Sequence, residues 1–341
     1  MKANTLKLSF SKLSAPEQLD VLDYCYSLVH KADDPTEACN NVKTAGGCVC
    51  PSCKIHATRY GKTASGQQRY YCKKCKKTFV MTACTPISRT KKNSTVWRKY
   101  FECFVGQKSL RTTAKDCGIS LPTAFLWRHK ILDCLEQSNR AIKVEGTIQM
   151  DETFINDSYK GNYHHKIELP RLARKHGKHA QKRGLSREKL CIPCAVDSAG
   201  HQVAIVANRG KTSVKALYAA YGNRIALNSD ICSDSEKSYR ILANRNSCTL
   251  HAMPSGATTH KGYNIQRVNA LHSEIEKMRV MTKNVASKYL NGYLAFCCWK
   301  YGKSNLSTSE LVCSLMNSVF QQSTKTTWEN VSCRKAIPIL V

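Results

Sequence analysis

The sequence predicts an α/β domain on a mixed five-stranded sheet with helices, preceded by a small cysteine-stapled module and a small helical domain. Three observations predict it. Residues 146–300 alternate strand-like and helix-like segments. Upstream, two C-x2-C pairs stand eighteen residues apart. Between the two regions, residues 94–137 return to helical periodicity. The 341 residues suit two or three domains. The expected division is 1–46 (N-terminal helix and linker), 47–85, 90–140, 145–304, and a C-terminal helical tail over 305–341.

Charge narrows the partners. Lysine and arginine number 53 against 24 aspartates and glutamates, a formal charge of +29. Such a chain repels itself unless an acidic polymer screens it, and the phosphate backbone of double-stranded DNA is the usual one. A membrane partner is not expected. No run of eighteen apolar residues exists, the N-terminus lacks a long apolar signal, and no basic amphipathic helix with an aromatic face is found. These features lead us to expect a cytoplasmic protein. Of the nineteen cysteines, Cys103, Cys117, Cys297 and Cys298 sit in apolar runs and read as reduced core residues.

Along the chain, residues 14–30 read as an amphipathic helix. Ser14 and Glu17 form its capping box, and Leu19, Leu22, Tyr26 and Val29 line one side. Residues 31–46 are polar and read as linker. Cys50, Cys53, Cys72 and Cys75 then form C-x2-C-x18-C-x2-C. Each pair can chelate one side of a tetrahedral Zn2+, and the intervening hairpin brings the pairs together as a zinc ribbon over 47–85. Cys48 and His56 are spare ligands in the same stretch. The alternative is four unrelated cysteines in a cysteine-rich chain.

Residues 94–106 place Trp97, Phe101 and Phe104 near one face. Ala114, a turn at Gly118, an N-cap at Ser120 and Pro122 at the second helical position suit a tri-helical helix-turn-helix over 90–140. Its second helix would present Thr123, Arg128 and Lys130 to DNA. An ordinary helical hairpin is the alternative.

The α/β segment begins with a short strand, 146–151, ending in Asp151. A hairpin follows (189–196, turn 197–200, 201–207), then a helix near 214–221. A strand over 225–233 runs into Asp234. Strand 249–253 and helix 268–280 complete the set. Three strands, helix, strand, helix, strand, helix is the order of a ribonuclease H-like fold. There the first and fourth strands are neighbours, so Asp151 and Asp234 would meet. Two close carboxylates call for cations, and a pair of Mg2+ or Mn2+ ions about 3.5–4 Å apart could clamp an in-line displacement at phosphorus. Each aspartate alone could equally be a cap. Asp230 competes for the second position but falls within the strand. Residues 159–189 form a densely basic insertion.

The ordered set resembles the insertion-sequence transposases of the ISXO-like DDE class over roughly residues 15–300. Its elements are the ribbon, the helix-turn-helix and Asp151-Glu152-Thr153-Phe154. Ser233-Asp234-x4-Tyr239, Val268-Asn269-x2-His272-Ser273 and Ser287-Lys288-Tyr289-Leu290 complete it. The resemblance implies a DNA transposase. It would bind the terminal inverted repeats, then cleave and join strands in a metal-dependent reaction, as a dimer or larger assembly in a bacterial-type nucleoid. Asp151 and Asp234 would be its first two metal ligands. Many relatives carry Asn-x2-Glu where this chain has Asn269-Ala270-Leu271-His272. His272 is therefore the expected third ligand, with Asn269 beside it. Glu276 is the reserve on the same helical face, and Glu274 points elsewhere. Imidazole suits manganese better than magnesium. Arg279 is a candidate for gripping the scissile phosphate. The rival readings are a zinc-dependent DNA-binding regulator or an inactive copy, and a junction nuclease on the same fold.

Overall fold

The computed structural model describes residues 9–14, 17–18, 21, 34–161, 184, 186–234 and 237–341. Leu19, Leu22, Tyr26, Val29 and most of the basic stretch 159–189 lie outside them. At the N-terminus the capping bond is present: the Ser14 hydroxyl donates to the Glu17 carboxylate at 2.6 Å. The chain divides into two units, Met1–Arg128 with Leu306–Lys325, and His129–Asn305 with Thr326–Val341. Residues 305–341, expected as one tail, are thus shared between them.

In the first unit, part of the expected linker is a helix, α1 (Pro35–Thr44). The Asp34 carboxylate accepts from the amides of Thr36 and Glu37 at 2.8 and 3.0 Å. A proline opens the helix and Lys43 closes it. The apolar signal is too thin to read, since only Ala38 and Cys39 in its middle are buried hydrophobics. An antiparallel sheet follows: β1 (Thr58–Lys62), β2 (Gln68–Cys72) and β3 (Lys77–Val80). Then come α2 (Ser94–Val105), α3 (Leu110–Asp116) and α4 (Leu121–Ala141), the last belonging to this unit as far as Arg128 and to the second from His129. Asn93 and Ser109 cap α2 and α3. Gly118 adopts φ +58°, which lets the chain turn sharply between α3 and α4. Trp97 of α2 stacks on Trp127 of α4 at 3.7 Å between ring centroids.

The second unit is built on one mixed sheet. Its strands are β4 (Thr147–Asn156), β5 (Lys189–Asp197), β6 (Gln202–Ala204) and β7 (Asn208–Arg209), then helix α5 (Val214–Tyr221). β8 (Asp230–Asp234), helix α6 (Lys237–Arg245) and β9 (Thr249–Met253) follow. The order across the sheet is β6-β5-β4-β8-β9. The two-residue β7 pairs with β5 as a sixth strand, one more than the five expected. β4 runs antiparallel to β5 and parallel to β8. A small hairpin, β10 (Thr259–His260) with β11 (Tyr263–Asn264), leads into α7 (Gln266–Met281) and α8 (Leu290–Lys300). Two later helices are α9 (Thr308–Gln321) of the first unit, with a Ser307–Glu310 capping box, and α10 (Trp328–Ser332) of the second.

Side-chain alternation gives this sheet two apolar faces. On one, Ile192, Val196 and Cys232 meet Val268, Leu271 and Ile275 of α7. On the other, Ile148, Met150 and Ile231 meet Leu217, Tyr221, Tyr239 and Leu242. Each fully buried aliphatic side chain contributes about 1.5–3 kcal/mol, so both layers hold the sheet. The expected core cysteines Cys103, Cys117, Cys297 and Cys298 are buried and unbridged.

Candidate functional site

Strand register builds the first site. Thr147, Ile148 and Gln149 pair with Asp230, Ile231 and Cys232. The same register carried two residues on sets Asp151 level with Asp234, and parallel partners point to the same face. Asp151 does not end its strand, as the sequence suggests; β4 continues to Asn156 because β5 pairs with it all the way. What ends near Asp151 is the pairing with β8, which stops at Asp234. Beyond that point β4 has no partner strand on this side among the described residues.

Glu152 follows Asp151 on β4. Alternation sends its side chain to the opposite face from Asp151, yet its carboxylate joins the other two. Asp151, Glu152 and Asp234 each place an oxygen within 4.8 Å of the others. Burial pushes the Glu152 carboxyl up to about 7. The Thr212 and Tyr239 hydroxyls oppose that rise, and the Asp151 and Asp234 charges add to it. Burial also raises Asp151. The Glu152 Oε1 atom is buried without a hydrogen-bond partner. Three hard oxygen donors, one of them orphaned, suit a divalent cation such as Mg2+ or Mn2+.

Helix α7 brings His272 alongside. The Gln149 carboxamide oxygen accepts from the amides of Arg267 and Val268 at 2.7 and 3.3 Å. It thereby serves a helix start that has no side-chain cap of its own. Two residues along β4 advance about 6.6 Å; four along the helix advance about 6 Å. Asp151 therefore meets His272, with Nδ1 3.9 Å from Asp151 Oδ2. Burial holds the imidazole down at about 4, so it is neutral near pH 7, and Nε2 is buried without a partner. His272 lies outside the group of three carboxylates. Asn269 is half-buried one turn earlier on the same helix.

The remaining candidates lie apart from these carboxylates. Glu276 is exposed and held by Arg279, whose Nε donates to it at 2.7 Å. Arg279 is thus engaged within its own helix. Asp230 begins β8 at the far end from Asp234 and bonds His251 at 2.8 Å.

The second site is local. Sulfurs of Cys50, Cys53, Cys72 and Cys75 all lie within 4.8 Å of one another, with Cys50 and Cys75 Sγ at 3.8 Å. Lys54 and Lys76, each following the second cysteine of its pair, adopt φ of +59° and +53°. That left-handed turn folds each pair back on itself. The backbone amide of Cys75 leads the pull that lowers the Cys72 thiol to about 7. Four soft thiols in this cluster suit tetrahedral zinc. Cys48 and His56 are not part of it.

The helical segment corrects one expectation. Arg128 and Lys130 are buried, and Arg128 donates to the Lys108 carbonyl at 2.7 Å. Arg128 shares a stripe with Ala124, Trp127, Ile131 and Leu135, a periodicity already visible in the sequence. Thr123 is half-buried, its hydroxyl bonded to Ser120 at 2.8 Å. Exposed cations in this segment include Arg111 and Lys115 on α3, besides Lys99, Lys108 and Arg140. Among the described residues no helix is long and apolar enough to cross a membrane.

Residues 143–302 match the family model described as the ISXO2-like transposase domain. No curated protein matches the chain. Among solved structures, the chain resembles the cryo-EM structure of a simian T-cell lymphotropic virus intasome in complex with PP2A regulatory subunit B56 gamma. The two are 13% identical over 61% of this chain and 70% of that one, with a TM-score of 0.30. That likeness is too loose to carry any feature across.

Proposed function

From a chain whose residues 143–302 match the model of the ISXO2-like transposase domain, we propose a DNA transposase. In this reading it binds the terminal inverted repeats of an insertion sequence, cleaves a phosphodiester to leave a 3′-OH, and joins that end to target DNA. The observation that carries the proposal is the carboxylate group Asp151, Glu152 and Asp234 inside the matched domain. On the matched segment we read a ribonuclease H-like sheet.

Asp151 and Asp234 would hold divalent cations, with Glu152 reaching in from the opposite face. His272 remains the ligand proposed from α7, with Asn269 beside it as a further catalytic residue. Bound Mg2+ or Mn2+ supplies Lewis-acid polarisation for in-line displacement at phosphorus. The chain's own part is to fix donors on neighbouring strands, so that no reorganisation is needed during reaction. The sheet β1-β2-β3 is proposed as a zinc ribbon, and α2–α4 as the helix-turn-helix. Thr123, Arg111 and Lys115 are the residues proposed to face DNA, while Arg279 is kept as a phosphate contact that must first leave Glu276. Joining two ends implies a dimer or larger assembly on DNA.

The test is to incubate the protein with a duplex carrying the gene's flanking repeat, in manganese and in magnesium, beside Asp151→Asn. Expected is cleavage at the repeat boundary that the variant lacks while still binding. Binding without cleavage in either metal would favour the regulator or an inactive copy. If His272 is a ligand, manganese supports more activity than magnesium at limiting metal; equal activity removes it from the ligand set.

A further inference from the structure

The sheet β1-β2-β3 has two faces with different contents. One turns Cys72 and Tyr70 inward, both buried. The register Thr58↔Tyr71 and Tyr71↔Thr78, with alternation, sets Tyr60, Arg69, Tyr71 and Thr78 on the other. Tyr60 and Tyr71 lie 5.4 Å apart between ring centroids. The Arg69 guanidinium carbon is 5.4 Å from the Tyr60 ring centre, and its Nε is buried without an acceptor. Tyr60 is therefore held by two neighbours, yet it remains 52% exposed. Every residue of β1, its strand, is exposed.

An exposed edge strand that carries a large aromatic ring is open to a partner. Charge says what fits. Residues 47–92 contain eleven lysines and arginines and no aspartate or glutamate. Arg59, Lys62 and Lys77 are exposed but pair with Tyr70, Gln68 and Cys72, which sets them on the Cys72 face; the cation on the Tyr60 face is Arg69. A basic surface with a bare aromatic ring suits nucleic acid. Within a duplex, each base has its flat faces covered by neighbouring pairs. The ring can stack only on a base that has left the helix or never entered one.

We propose that the outer face of β1-β2-β3 is a docking surface for unpaired DNA, with Tyr60 as the stacking platform, Arg69 beside it, and the unbalanced positive charge of residues 47–92 drawing the strand in. The inference rests on the DNA-handling reading above and names a substrate class within it. Frayed or extruded bases beside a cleavage point are the chemistry such a face accepts.

The experiment measures fluorescence anisotropy of the zinc-loaded full chain on a short labelled oligothymidine and on a duplex of equal length. Tyr60→Ala is expected to weaken single-strand binding on the order of tenfold and duplex binding by less than about twofold. Tyr60→Phe keeps the ring and should bind the single strand as the unaltered chain does. Tyr218 is an exposed tyrosine on α5 with Arg245 over its ring, and Tyr218→Ala should change neither. Zinc content is measured for each variant. Should Tyr60→Ala lose zinc, Tyr60→Thr, which keeps strand propensity, takes its place on both DNAs. Equal weakening on both DNAs, or no change on the single strand, overturns the proposal. An unaltered chain that binds duplex but not single strand also overturns it and spares the transposase reading; one that binds neither overturns both.

Discussion

The two ligand clusters are built by opposite means. The thiols come as two pairs, each closed by one tight turn, so their geometry is fixed within a few residues. The carboxylates come from β4 and β8, more than eighty residues apart in sequence, and meet only because those strands are parallel neighbours. A local cluster is a property of two turns; the carboxylate cluster is a property of a whole sheet. The first should therefore respond to damage as a folding unit, and the second as a chemical one.

The largest expected effect breaks this comparison at the carboxylates. Asp151→Asn and Asp234→Asn should each lower strand cleavage by more than the ~10–100-fold typical of losing a metal's outer partner. Duplex affinity should stay within about twofold. Cleavage assays beside anisotropy check both, and a variant that loses binding in step with cleavage would show that the sheet, not its chemistry, was damaged. Cys72→Ser is the mirror experiment. It should lower zinc content and weaken duplex binding by roughly tenfold or more. Bound zinc and anisotropy read it, and unchanged zinc would remove Cys72 from the ligand set.

Legibility follows the same division. The C-x2-C spacing names all four thiols, because a knuckle needs no tertiary information. Asp151 and Asp234 can be named because element order suggests which strands adjoin. Glu152 escapes a reading of the sequence, since alternation assigns it to the other face. The cluster forms where β8 ends at Asp234, and sequence does not mark where a ladder stops. Gln149 is equally hidden, as a strand glutamine gives no sign that it will serve the start of a helix over a hundred residues later. Arg128 is readable, and the expectation that it faces DNA misreads it: its spacing from Trp127 and Ile131 already places it on the buried stripe. Helix α1 needs its Asp34-Pro35 start to be weighed above its polar composition.

Glu152 sharpens the comparison through pH. Its folded value near 7 lies above the 4.5 of an unhindered glutamate, so the fold favours the protonated form. That stability is full below about pH 4.5 and is lost as pH rises through 7. The cation-free chain should lose about 2–3 kcal/mol from this group by pH 8, and Glu152→Gln should abolish that slope. His272, held near 4, acts in the opposite sense between about pH 6.5 and 4. It is common to both proteins and drops out of their difference. Denaturant titrations at pH 5 and 8 measure it; parallel pH slopes for the two proteins would place the Glu152 carboxyl in water rather than buried beside Asp151 and Asp234.

The smallest effect tests what joins sheet to helix. Gln149 is buried, and its carbonyl oxygen serves two amides at the start of α7 while its amide nitrogen donates to Asn264 at 2.8 Å. Gln149→Leu keeps much of the volume and removes both functions, leaving the amides of Arg267 and Val268 without that acceptor. The expected cost is about 1–2 kcal/mol, read as a lower denaturation midpoint with an unchanged slope. The Cys50–Cys75 cluster should keep its zinc, because nothing in its turns depends on Gln149. Cleavage should fall further than stability alone explains, since the bonds that set His272 beside Asp151 are lost. Gln149→Glu keeps the acceptor and should recover part of the activity. A Gln149→Leu variant that is less stable but cleaves normally would separate His272 from the chemistry and leave the three carboxylates to act without the helix.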